Sequence, residues 1–240
     1  MSPDGRARHR SWGGIATLTL IATTAGAWAV AASPLFQVRD VKVRGIRHLS
    51  TSEVVRLAAI GTRANLLTLP ADRVEAALAQ SPWIRSVDVH RSLPSTLVLT
   101  IDERSPVAWV RQPKGVAVVA VDGVVLSRRK GPPQGLVGIG SADRALAPGA
   151  PLEGFDEPLA VVASLRPGLR RSVDRVWMAR GEMALRLKDG TRVRYGEARS
   201  LPEKSSALAR VLRWARQQEL RLAYVDLTVA NNPAVRVRGA

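Results

Sequence analysis

The sequence predicts an α+β protein in which an apolar N-terminal segment is followed by two structured regions. Three observations lead to this prediction: an uncharged stretch over residues 11–38, a succession of short strand and helix patterns over 36–106, and hairpin turns around one long helix pattern over 107–240. Strands and helices grouped in this way are typical of a sheet with helices packed on it. The apolar share of 46% is that of a globular protein.

The uncharged stretch contains a 20-residue apolar core over 13–32. A helix of about this length crosses a hydrocarbon layer of roughly 30 Å. Arg6, Arg8 and Arg10 precede it, and basic residues before a membrane span keep the preceding tail in the cytoplasm. The sequence therefore predicts a single membrane span with a cytoplasmic N-terminus and an exported C-terminal part.

A cleaved signal peptide is the alternative for this segment, since Ala29-Val30-Ala31 resembles a small-residue cleavage site. The apolar core exceeds the roughly 7–15 residues that are usual in signal peptides, which favours a retained anchor. We expect a cytoplasmic tail over 1–11 and a transmembrane helix over 12–35. Both alternatives place the residues from about 34 onward outside the cytoplasm.

The charge balance of +16, with no cysteine, limits the functional classes. Without cysteine there are no disulfides, thiol nucleophiles or cysteine metal sites. The basic residues recur singly between apolar ones, and aromatic residues make up only 4%, so little is available to stack on bases. We expect no nucleic acid partner, and instead a basic surface that faces anionic lipid or acidic proteins.

The first structured region, 36–106, has the predicted order β-α-α-β-β. Val41 and Val43 alternate with polar residues, as in a half-buried strand. Ser50 and Glu53 have the spacing of a capping box and predict the start of a helix that ends by Gly61. Pro70 stands at the start of the second helix. The two closing strands have apolar alternation over 87–89 and 97–101, with Leu93-Pro94-Ser95 as the connection.

The second region, 107–240, is predicted to be a mainly antiparallel β domain with one long helix. Asp122-Gly123 lies between two valine-rich runs and is a strong hairpin signal. Pro202 opens the long helix, which has an apolar stripe at Leu208, Val211, Leu212 and Ala215. The remaining patterns predict a short helix over 157–165 and strands over 173–178, 183–187, 192–195, 222–227 and 234–237.

Several residue runs carry a family resemblance. The first region contains Phe36–Val38, Val41–Gly45, Ser81–Ile84, Val87–Leu97 and the exit Glu103–Ala108; the second contains Lys204 early in the long helix and the strand Tyr224–Leu227. These runs resemble the bacterial cell-division family FtsQ/DivIB, whose extracytoplasmic part is a POTRA domain followed by a β domain. The resemblance implies a POTRA domain over 36–106 and an FtsQ-like β domain over 107–240.

The resemblance also implies a non-catalytic divisome scaffold of the inner membrane, with its C-terminus in the periplasm, that recruits other division proteins. A C-terminal strand tends to lie at a sheet edge, where its free backbone groups accept another strand. We therefore expect 222–227 and 234–237 to form such an edge, and the resemblance implies an FtsB–FtsL-like pair as the partner there, with others at the POTRA domain. The expected partner-binding residues are Tyr224, Asp226, Thr228, Val229, Ala234, Val235 and Arg236.

Other functions remain open at this point. Thr228 and Val229 stand where relatives often have arginine and an aromatic residue, which removes an expected anchor. The two strands could simply close the domain. A transport-type POTRA protein and a secreted envelope-binding protein are further alternatives. No catalytic, metal or cofactor site is expected, since His9, His48 and His90 lack companions at catalytic or metal-ligand spacing.

Overall fold

The computed structural model describes residues 23–24, 28, 30, 33–61 and 63–239. The predicted cytoplasmic tail over 1–11, and most of the predicted transmembrane helix over 12–35, lie outside the described residues. Within the described part of the chain, no helix is long and apolar enough to span a bilayer. The described strands and helices have the α+β composition that the sequence predicts.

The chain divides into two compact units. The first takes the chain up to Leu78 together with Ser86–Asp102, and the second takes Ala79–Arg85 with everything from Glu103 onward. The elements of the β-α-α-β-β region occur in the predicted order. They are β1 (Asp40–Arg44), α1 (Thr51–Leu57), α2 (Ala71–Ala79), β2 (Ile84–Ser92) and β3 (Thr96–Glu103).

Strand β3 is the central strand of the first sheet. Its neighbours are β1, which is parallel to it, and β2. Leu97 and Leu99 of β3 are completely buried. The predicted capping box begins α1: the Glu53 N–H donates to Ser50 Oγ at 3.3 Å, and the Ser50 N–H donates to Glu53 Oε2 at 2.8 Å. Local sequence signals therefore account for the elements of this unit.

The second unit contains a nine-stranded sheet among the described residues, in the order β12-β11-β10-β9-β8-β7-β4-β5-β6. Most neighbouring pairs are antiparallel, and β4/β7, β7/β8 and β10/β11 are parallel. The strands are β4 (Pro106–Gln112), β5 (Gly115–Ala120), β6 (Val125–Arg129), β7 (Val137–Ser141), β8 (Val173–Ala179), β9 (Glu182–Leu187), β10 (Arg192–Gly196), β11 (Leu222–Asp226) and β12 (Ala234–Val237).

Strands β4 and β7 were missed by the sequence prediction, and both lie near the middle of the sheet. Val107–Val110 of β4 are all buried, so this strand lacks the apolar–polar alternation that marks a half-exposed strand. In β7 the glycines obscure the pattern. A Cβ on Gly138 would lie 2.7 Å from Cζ2 of Trp109, so glycine is required where the indole packs on the strand.

Three helices pack against one face of this sheet. They are α3 (Asp156–Ser164), the unpredicted α4 (Pro167–Arg170) and α5 (Leu201–Gln217). The predicted stripe of α5 is confirmed, because Leu208, Val211 and Ala215 are buried in the core. Val176 and Leu185 meet the helices from the sheet. The face of the sheet away from the helices carries arginine at paired positions of β8, β9 and β10. The two faces therefore have different chemistry.

Arg104 joins the start of β4 to the segment before β2 within the second unit. Its guanidinium donates to the carbonyl oxygens of Pro82 at 3.1 Å and Ile84 at 2.6 Å, and to Asp122 Oδ2 at 2.7 Å. Partial burial raises the pKa of Asp122, but the hydrogen bond from Arg104 outweighs it and the pKa falls. Trp83 packs beside this cluster on Val118, Ala120 and Leu126. These contacts give the glutamate–arginine exit run a structural role.

Candidate partner-binding edge

The last strand, β12, lies at one end of the nine-stranded sheet. It pairs antiparallel with β11, and Val235 stands opposite Val225. Strand β11 also pairs with β10, where Tyr224 stands opposite Arg192. The expectation that both strands form the edge is therefore wrong for β11, because its backbone groups are used on both sides. Of these two strands, only β12 lies at an edge of the sheet.

The backbone of β12 directs alternate groups toward β11 and away from it. The Arg238 N–H donates to the Arg221 carbonyl at 2.6 Å. Successive N–H groups along a strand point to opposite sides, so those of Val235 and Val237 point away from β11. No strand of the described chain pairs with that side. Val235 is also 38% exposed, and the edge is therefore open to an added strand.

Asp226, the last residue of β11, organises the turn that leads to β12. Its Oδ1 accepts from the Thr228 N–H at 2.9 Å and from Thr228 Oγ1 at 2.6 Å, and its Oδ2 accepts from the Tyr224 hydroxyl at 3.2 Å. Partial burial raises the pKa of Asp226, but these hydrogen bonds and the charge of Arg194 outweigh it, so the pKa is lowered. The carboxylate is therefore charged at neutral pH.

Arg194 of β10 links the edge to the rest of the sheet. Its guanidinium donates to Glu182 Oε2 at 2.7 Å and Oε1 at 2.9 Å, and lies 3.5 Å from Asp226 Oδ2. The hydrogen bonds to Glu182, and then the two negative charges, raise the pKa of Arg194. Sequence reasoning missed Arg194 and Glu182, since the alternation in β9 and β10 indicates exposed residues without indicating their partners.

Lys204 is buried, with 4% of its surface exposed. Its Nζ donates to the carbonyl oxygens of Tyr195 and Glu197, both at 2.8 Å. Burial lowers the pKa of Lys204, and the charges of Glu197 and Glu182 act in the opposite direction. The bonds tie α5 to the end of β10. Gly196 lies between those two carbonyls at φ +74°, and a Cβ there would be 3.2 Å from Thr228 Cα.

The structure brings together some of the predicted partner-binding residues. Tyr224, Asp226 and Thr228 form one hydrogen-bonded group, and the Arg236 guanidinium lies 5.8 Å from the centroid of the Tyr224 ring. Val229 is separate from this group, 61% exposed in the loop after β11. Ala234 and Val235 belong to β12. The predicted residues thus surround the edge strand, and their role in partner binding stays a prediction.

Two family models match the chain. Residues 36–104 match the POTRA domain, FtsQ-type, and residues 108–228 match Cell division protein FtsQ/DivIB, C-terminal. The matches cover both structured regions.

Curated relatives carry the same family name. The chain is 32% identical over 189 residues to Cell division protein FtsQ of Myxococcus fulvus, covering 75% of this chain and 66% of that protein. It is 30% identical over 226 residues to Cell division protein FtsQ of an Anaeromyxobacter species, covering 86% and 74%. For the protein of that name from Corynebacterium glutamicum, the identity is 23% over 193 residues, covering 78% and 82%.

The contacts of Lys204 predict a large effect of its replacement. In Lys204→Met the buried carbonyl oxygen of Tyr195 and the partly buried carbonyl oxygen of Glu197 lose their donor. We expect the free energy of unfolding to fall by about 2–3 kcal/mol, measured by urea titration of the full chain in detergent. Lys188→Met, at an exposed residue, is the matched control and should change stability by less than about 0.5 kcal/mol. Equal effects of both variants would contradict the role assigned to Lys204.

Asp226 predicts a pH dependence of stability. Because the folded-state pKa of Asp226 is lowered, its charge stabilises the folded state above the unfolded pKa of about 3.9. This contribution is lost as the pH falls through the lower folded value. Asp226→Asn should therefore be less stable than the wild type by about 1 kcal/mol at pH 7, and the difference should shrink below about pH 4. Asp143→Asn, at an exposed loop residue, should show neither effect. A difference that does not change between pH 7 and pH 3 would contradict the assignment.

Proposed function

Since the chain belongs to the FtsQ/DivIB family of bacterial cell division proteins, we propose that it is a non-catalytic scaffold that recruits other division proteins to the septum. A role in cell division follows from the family itself. The recruiting function is supported by one observation above all: β12 ends the nine-stranded sheet, and its outer side has no partner strand among the described residues. Such an edge supplies a row of backbone donors and acceptors.

The proposed mechanism is addition of a partner strand to β12. The outward backbone groups of Val235 and Val237 would pair with the partner, and main-chain hydrogen bonds of this kind supply affinity with little dependence on sequence. Side chains beside the edge would add specificity: Tyr224 with Arg236 on one side of the strand, and the exposed Val229 in the preceding loop. We propose an FtsB–FtsL-like pair as the partner at this edge, and other divisome proteins at the POTRA domain.

The departure at Thr228 and Val229 fits a backbone-driven mode of binding. Thr228 uses its N–H and hydroxyl on Asp226, so it shapes the turn between β11 and β12. Val229 offers an apolar contact that is smaller than an aromatic ring. The hydrogen bonds of β12 do not depend on either side chain, and recognition at this edge would therefore tolerate the departure.

The proposed topology is that of a single-pass inner-membrane protein. The tail over 1–11 would lie in the cytoplasm, the span over 12–35 would cross the membrane, and the domains over 36–106 and 107–240 would lie in the periplasm. The arginines before the uncharged stretch support this orientation.

Val235→Pro tests strand addition. Proline removes the outward N–H of Val235 and leaves the inward hydrogen bonds of β12 in place, and proline is tolerated on edge strands. We expect affinity for the FtsB–FtsL-like pair of the same organism to fall at least tenfold, measured by pull-down and titration with the full chain. The thermal midpoint should stay within a few degrees.

Val235→Thr is the matched control, because it keeps the N–H and the β-branched shape. It should bind like the wild type. Unchanged binding by Val235→Pro would contradict strand addition at β12, and an equal loss in both variants would show that the side chain carries the contact.

A fluorescent protein fused to the N-terminus tests the proposed place of action. We expect a band at midcell in dividing cells, because a divisome scaffold is recruited to the septum. A chain that stops before Leu222 lacks β11 and β12, and by the edge mechanism it should fail to recruit the partner pair. A uniform envelope signal throughout the division cycle would contradict the scaffold proposal and favour a transport or envelope-binding protein. A mature N-terminus near Ala32 would contradict the retained anchor.

A further inference from the structure

A recess lies on the open face of the nine-stranded sheet, away from the helices. Its volume is about 360 Å³, which is at the lower end of the range for ligand pockets and leaves room for a few side chains. We call it the arginine–tryptophan pocket. It is lined by Trp109, Arg111, Gly140, Ser141, Arg175, Trp177 and Arg186.

Trp109 lies in the floor of this pocket. It is 6% exposed, and it packs on Gly138, where any Cβ would overlap the ring. The guanidinium carbons of Arg111 and Arg175 lie 5.8 Å and 6.0 Å from the centroid of its ring. A guanidinium held over an aromatic ring keeps in-plane N–H groups that can bind a carboxylate through two parallel hydrogen bonds. The indole thus holds two cations beside the recess.

The charges of the pocket are only partly neutralised. Arg186 donates to Asp174 Oδ2 at 3.0 Å and 2.9 Å. Neither Arg111 nor Arg175 forms a salt bridge within the described chain, and both guanidiniums lie over the ring of Trp109. The pocket therefore has an excess of positive charge at the two guanidiniums that stand over the indole.

The strand register adds to this excess. Arg192 stands opposite Arg186, and Arg186 stands opposite Arg175. Paired positions place their side chains on the same face of a sheet, and like charges directly opposite each other destabilise it. Arg175 stands opposite Gly138, which in turn stands opposite Trp109. Arg192, Arg186 and Arg175 thus form a row across β10, β9 and β8 that ends at the pocket. An acidic ligand would reduce the repulsion between these arginines.

We propose that the arginine–tryptophan pocket binds a carboxylate side chain of an acidic segment from a partner protein, and that this segment lies across the strands of the open face. This proposal goes beyond strand addition at β12, because the pocket would recognise a side chain of the partner and not its backbone.

The shape of the site favours a peptide over a membrane surface. Trp109 lies in the floor of a recess, and a flat layer of lipid headgroups cannot reach it, whereas a side chain that projects from a segment can. The arginine row crosses strands that lie about 4.8 Å apart, and alternate side chains of an extended segment lie about 6.6 Å apart. Long arginine and glutamate side chains bridge this difference, so a segment with acidic residues at alternate positions can place a carboxylate near each guanidinium. Trp177 adds an apolar wall for the residues beside the carboxylate.

The indole N–H signals of the full chain in detergent micelles, labelled with ¹⁵N-tryptophan, test the proposal. The chain has six tryptophans, and single Trp→Phe variants assign their signals. The probe is a hexapeptide of alternating glutamate and leucine, blocked at both ends, and the matched peptide has glutamine for glutamate. We expect the signals of Trp109 and Trp177 to shift and saturate with the glutamate peptide only, while that of Trp214 on α5 stays unchanged.

Three variants distinguish binding in this pocket from binding through net charge and from pairing at β12. Arg175→Gln should weaken binding of the glutamate peptide at least tenfold. Arg210→Gln, at an exposed position of α5, removes the same charge elsewhere and should change the affinity less than twofold. Val235→Pro should leave peptide binding intact, so a failure of edge pairing and a failure of this pocket are distinguishable. The thermal midpoint of each variant verifies that it is folded.

Other results would overturn the proposal. Equal shifts with both peptides, or none at millimolar concentration, would exclude a carboxylate site. Shifts that appear with inorganic phosphate or glycerol 1-phosphate and not with the glutamate peptide would identify a phosphate site instead. An equal loss of affinity in Arg175→Gln and Arg210→Gln would show that binding depends on net charge alone.

Discussion

The buried ammonium group of Lys204 is the contact on which the geometry of the candidate edge at β12 depends. It closes the parallel crossover in which β10 leads through α5 to β11. By binding the carbonyl oxygens of Tyr195 and Glu197 at 2.8 Å, it holds the start of the helix against the end of the strand. Removing a charged amine from water is unfavourable, and these hydrogen bonds offset that loss. The position of β11, and hence of β12, follows from this attachment.

Tyr195 shows how tightly the same region is packed. It has no exposed surface, its hydroxyl donates to the Leu201 carbonyl at 3.2 Å, and burial raises its pKa to about 12. The ring also lies 5.6 Å from the Lys204 amine. A crossover held in this way keeps the end of the sheet rigid, so a strand added to β12 would meet a preorganised edge and lose little free energy in ordering it.

The two faces of the nine-stranded sheet differ in their chemistry. One face buries valine, leucine and the helices in a single core. On the other face the paired positions of β8, β9 and β10 carry arginine, which locates part of the net charge of +16. Such a face lowers stability through repulsion between like charges. The acidic segment proposed above would offset this repulsion.

Much of the fold was predictable because its signals are local. The capping box of Ser50 and Glu53, the Asp122-Gly123 turn and the apolar stripe of α5 depend on residues close in the chain, and each appears in the structure. Strands β4 and β7 were missed because both lie within the sheet: one is continuously buried, and the other contains the glycine on which Trp109 packs. Their identity as strands depends on neighbours that are distant in sequence.

The sequence by itself determined the α+β class, the order of most elements, the family resemblance and the C-terminal location of the candidate edge. Only the tertiary structure decided that β12 and not β11 lies at the edge, that Arg194 joins Glu182 to Asp226, and that Arg175 stands over Trp109. The physical reason is register. Helix caps, turns and alternation are set by residues a few positions apart, whereas the partner of a strand and the contents of a pocket depend on which distant segments pair, and at which residue.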